Sequence, residues 1–207
     1  MTLMRKALAV LLFTSAFSVR AEPVRSVEQR VRSTASPAIT VVVDPAFPFL
    51  GHVHGAAMQG RAEFEQFLFA EVSNGRLGRA VIVHFEHALP GADFRFRYPR
   101  LEMVHLGGEE YLHQSFPAMQ WDLFTSGPVK QLLEEKGRKA PGDWLVSRYV
   151  RATDSALSSE IILFYLEPAG ELPAPAEELG LGGKRRDLWL PIDRRLSTEG
   201  LKHFHVE

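Results

Sequence analysis

The chain contains no cysteine. That absence excludes disulfides, thiolate metal sites, cysteine nucleophiles and lipid attachment through an N-terminal cysteine. A G-x-S-x-G elbow, an H-E-x-x-H zinc helix and an EF-hand loop are missing too, so the ordinary routes to an α/β-hydrolase, a zinc protease or a calcium sensor are closed. Gly182-Gly183-Lys184 ends like a phosphate loop. However, Glu178 stands where the first glycine belongs and Arg185 where a magnesium-holding Ser or Thr belongs. A basic surplus is also lacking, and past residue 21 no apolar run reaches the ~20 residues of a membrane span.

The N-terminus carries an address. Arg5 and Lys6 form a short positive region, Ala7 to Val19 runs without a charge, and Val19-Arg20-Ala21 puts small residues at the two positions that matter for cleavage. This order predicts a cleavable signal peptide over residues 1–21 and a periplasmic or secreted product. Removing Arg5, Lys6 and Arg20 from 24 basic residues leaves 21 against 25 acidic ones, a balance of −4 that argues against a nucleic-acid partner. The remaining 186 of 207 residues suit one domain able to bury its own core, and the Phe content, 14 in the chain with Phe13 and Phe17 in the first 21 residues, points to an aromatic one.

Residues 22–37 read as an N-terminal arm with a short helix near 27–31, and residues 38–207 as a single domain. The β-branched run Ile39 to Val43 predicts a first strand, followed by a Pro/Gly/aromatic loop over 45–55. Phe64, Phe67, Leu68 and Val72 recur at helical spacing, predicting a helix over 58–72 stopped at Asn74-Gly75. Strands are predicted at 79–86, at 93–98 with alternating aromatic and charged residues, at 144–151 and at 160–166. The last is apolar on both faces and therefore central. Gly107-Gly108 between two apolar-rich runs predicts a tight hairpin in which Glu102 faces His113 and His105 faces Glu110. Gly127-Pro128 opens a helix ended by Gly137, residues 168–183 read as a Pro/Gly-rich surface loop, and 188–190 as a short last strand. The sum is an α+β domain with a mostly antiparallel sheet of about six strands and two or more helices packed on one face.

All eight histidines follow residue 21. In the extended segment Gly51 to Gly55, His52 and His54 project to one side and are candidate ligands for one metal ion. His84 and His87, with Glu86 between them, project to opposite faces at a strand end and converge only if the strand bends there; either is a candidate to join His52 and His54. An imidazole-rich, thiol-free exported chain suits zinc or copper. The two His–Glu pairs of the hairpin read as cross-strand stabilisation, and His203-Phe204-His205 as a fraying end. Arg95, Arg97 and Arg100 form a basic row suited to a carboxylate or phosphate, so the partners expected are an envelope protein or a small anionic ligand. The leading functional expectation is an exported, non-catalytic binding or interaction domain of the cell envelope. The alternative is a metal-binding protein or metal-dependent hydrolase using His52, His54, His84 and His87.

Overall fold

The computed structural model describes residues 25–34, 38–99, 101–180 and 182–207. The signal peptide expected over 1–21 lies outside them. Two antiparallel sheets organise the chain. The larger, in spatial order, contains β4 (Phe49–Ala57), β5 (Ala62–Ser73), β6 (Arg76–Ala88), β10 (Ser159–Pro168), β9 (Trp144–Ala152), β8 (Glu109–Ala118) and β7 (Glu102–Leu106). The smaller contains β1 (Arg25–Val27), β2 (Arg30–Ser33), β3 (Ile39–Val43) and β11 (Phe204–Val206). Three helices complete it: α1 (Asp122–Thr125), α2 (Gly127–Glu135) and α3 (Arg186–His203). None of the described helices is long and apolar enough to cross a membrane.

The large sheet is covered on both sides, and this explains its sequence. Val81, Val83, Phe85, Tyr149, Ile161, Leu163 and Tyr165 meet Trp189 and Leu196 of α3 and the small sheet's Val41, Val43 and Phe204. On the opposite face Leu68, Ile82, Val146, Ile162 and Phe164 meet Phe124 of α1 and Val129 and Leu133 of α2. A strand buried on both faces has no polar alternation. The predicted two-sided strand is therefore β10, fourth of seven. The hairpin at Gly107-Gly108 forms in the expected register, Glu102 opposite His113 and His105 opposite Glu110. Gly107 is doubly constrained, since it has φ 59° and a Cβ there would stand 2.7 Å from the Val206 carbonyl oxygen. The hairpin tip thus docks on the end of the small sheet.

Several expectations are overturned. The helix over 58–72 is instead β5, preceded by a single 3-10 turn at Met58–Gly60. Phe67 to Ala70 all face apolar neighbours, Phe67 and Phe69 on one side and Leu68 and Ala70 on the other, so the strand mimics a helical stripe. Asn74 (φ 51°) and Gly75 (φ 75°) are a hairpin turn with Ser73 opposite Arg76, not a helix stop. The loop over 45–55 contains most of β4, and the arm over 22–37 contains β1 and β2 in place of a helix. Residues 93–98 are extended but join neither sheet; Phe96 N–H donates to the Leu157 carbonyl at 2.9 Å. Residues 188–190 belong to α3. Helices lie on both faces of the sheet, because each apolar face must be covered. His203 does not fray: it is held by Asp44, and β11 pairs with β3. Among its described residues the 168–183 loop has one 3-10 turn, and Leu179 tucks into the core.

Candidate ligand cleft and its buried polar neighbours

An open cleft of about 860 Å³ lies on the α1/α2 side of the large sheet, between the 93–98 segment and the β7–β8 hairpin. Antiparallel pairing sets its floor: Met103 faces Leu112, and Leu112 faces Val150, on one surface. Phe96, Tyr98 and Leu157 wall it. Leu157 sits at φ 54°, a conformation costly for a branched side chain, in the turn between β9 and β10. That turn positions the Leu157 carbonyl that holds Phe96, so a strained residue fixes the cleft wall. Met103 is 58 % exposed, an apolar side chain left standing in water.

The cleft's charges are largely spoken for. Arg151 pairs with Glu109 at 3.0 Å and its guanidinium lies 5.9 Å from the centre of the Tyr111 ring. His105 and Glu110 stand 3.7 Å apart on the rim. Arg97, exposed, is the cation lining the cleft that has no ion-pair partner among the described residues. Arg95 folds back onto its own segment, donating to the Phe94 carbonyl at 2.7 Å. Arg100 lies outside the described residues.

Tyr98 links the cleft to a buried polar cluster. Its hydroxyl donates to Glu160 Oε2 at 2.6 Å. Glu160 is 2 % exposed and opposes Glu86 across the β10–β6 pair. Burial pushes the Glu160 carboxyl up to about 7, and the Glu86 charge adds to this, while the Tyr98 hydrogen bond and Arg148 pull it back. Burial, then the Glu160 charge, raises the Tyr98 phenol above its ordinary value. Beside them Gln66 Nε2 donates to His84 Nδ1 at 2.9 Å, which places the ring hydrogen on Nε2, given in turn to Glu86 at 3.0 Å. Phe64 stacks on His84 at 5.6 Å and Phe164 meets it edge-on at 6.2 Å. Arg148 lies over the rings of Tyr98 and Phe116 and donates to Gln114 at 2.8 Å.

The structure divides the four predicted metal ligands. His52 and His54 share the α3-side face of the sheet, their rings 6.4 Å apart, with His52 stacked on Phe67. His84 lies on the opposite face with Gln66, and His87 pairs with Glu63 at 3.3 Å. The strand does not bend to bring His84 and His87 together. Among the described residues no three His, Asp or Glu side chains are grouped to hold a metal ion.

A second buried cluster lies under α3. His113 Nε2 is 2.9 Å from Ser147 Oγ and 3.2 Å from Ser115 Oγ, and Nδ1 is 3.6 Å from Glu102. Ser147, His113 and Glu102 stand in the order of a hydrolytic triad. Yet Ser147 is 0 % exposed and also bonds Tyr149, whose hydroxyl donates to the Ser197 carbonyl on α3. No carbonyl carbon reaches it, and burial holds the imidazole below its ordinary value, so the cluster cements α3 to the sheet.

The chain matches no protein-family model, no curated protein and no solved structure. The reading of the cleft therefore rests on its own geometry. Sequence reasoning missed Glu160, Tyr98 and Gln66. Glu160 opens an otherwise apolar strand, and that single carboxylate was the available signal. Tyr98 and Gln66 carried none, because register and loop path alone bring them in.

Proposed function

We propose that this chain is an exported, non-catalytic binding domain of the cell envelope, and that the cleft between the 93–98 segment and the β7–β8 hairpin is its ligand site. The cleft carries the reading. Its volume of about 860 Å³ falls in the range of small-molecule sites, and its apolar floor is bordered by the charged groups of Arg97, His105, Glu109, Glu110 and Arg151. A non-catalytic role is supported by where the acid–base groups lie: His84, Glu86 and His113 are all under 10 % exposed and bonded to neighbours. Export rests on the charge, apolar run and small residues of the first 21 positions.

Two measurements test this. Mass spectrometry of the product expressed from the full chain should find Glu22 as the first residue of material in the exported fraction; a cytosolic product retaining Met1 refutes export. Amphipathic small molecules should raise the melting temperature of the protein, since a ligand of the folded form alone must stabilise it. Met103→Glu, which puts a charge on the exposed cleft floor, should abolish the rise. An unchanged response in that variant removes the cleft from consideration.

A further inference from the structure

Resting on the cleft as ligand site, we infer that its ligand is an amphipathic anion: one carboxylate on an apolar tail or ring. Tyr98, Met103, Leu112 and Leu157 give the cleft an apolar part that a free inorganic anion leaves uncovered, so the ligand carries an apolar portion. Met103 suits this task, because an unbranched thioether adapts to the shape that covers it. The ligand's charge follows from which groups in the cleft already have partners. Glu109 is met by Arg151 and Glu110 by His105, so a cationic ligand would compete with existing pairs. Arg97 is met by no acid among the described residues. Its planar fork of donors matches a carboxylate with two parallel hydrogen bonds. Arg97 and Tyr98 both line the cleft, so head and tail sites belong to one wall.

The test uses the full chain and three probes of equal tail length below their micelle concentrations: decanoate, decanol and decyltrimethylammonium, titrated calorimetrically. Decanoate should bind about tenfold or more tightly than decanol, the factor expected of a charge-assisted hydrogen bond. Decyltrimethylammonium should bind most weakly. Arg97→Gln should bring decanoate and decanol to equal affinity, and Met103→Glu should weaken all three. Both residues are exposed, so neither variant depends on repacking a core. Equal binding of decanoate and decanol to the unaltered chain, with Met103→Glu weakening both, overturns the anionic ligand and leaves the cleft standing. Decanoate binding that survives both substitutions places the probe elsewhere and overturns both readings. Failure of all three probes to bind overturns the ligand class.

Discussion

Replacing Glu160 by Gln tests the energetics of the buried cluster most directly. The carboxyl is 2 % exposed, opposes Glu86 and is pushed up to about 7 from 4.5. A folded-state value above the unfolded one means the group binds its proton more tightly in the native state. Its contribution is therefore complete below pH 4.5 and is lost as pH rises through about 7. A gap of roughly 2.5 units at 1.36 kcal/mol each gives on the order of 3 kcal/mol lost by pH 8. Gln keeps the volume and an oxygen to accept the Tyr98 hydroxyl, but carries no charge at any pH. Urea denaturation of both proteins from pH 4.5 to 8 should show nearly equal stabilities at the acid end. The variant's advantage should grow to ~3 kcal/mol at the alkaline end. His113 titrates alike in both proteins and cancels in the difference. A gap that stays constant across the range, or a variant less stable at pH 8, would refute the assignment of a buried, proton-retaining carboxyl.

Gly107→Ala forces a side chain into a positive-φ turn and against the Val206 carbonyl. It should cost about 1–3 kcal/mol, and hydrogen exchange should quicken first in β11. His113→Leu removes the imidazole nitrogen within hydrogen-bond reach of both Ser115 and Ser147 and should destabilise by ~1–3 kcal/mol in chemical denaturation, with ligand binding at the cleft unchanged. Zinc or copper should raise the melting temperature of the unaltered protein no more than that of a His52→Ala, His54→Ala double variant. A rise specific to the unaltered chain would revive the metal reading.

Interactions between neighbours in the chain were legible. Gly107-Gly108 announced a two-residue turn, and that turn dictated every pairing in the hairpin, including His105 with Glu110 and Glu102 with His113. The apolar run Ile161 to Leu166 announced a strand covered on both faces. Gly127-Pro128 and Gly137 bracketed α2. Where these signals were misread, the cause was burial. Asn74-Gly75 is as strong a turn signal as any in the chain, but two-sided coverage of Phe67 to Ala70 erased the alternation that would have marked β5 as a strand.

Tertiary structure alone decided which face each histidine occupies, since a period of two sends His52 and His84 to opposite faces only once β4, β5 and β6 are set in register. It also decided that Tyr98, from a segment in neither sheet, reaches Glu160, 62 positions along the chain. Burial and the proximity of a second carboxylate, not the identity of any residue, give that cluster its proton affinity. Neither quantity exists until the strands are assembled.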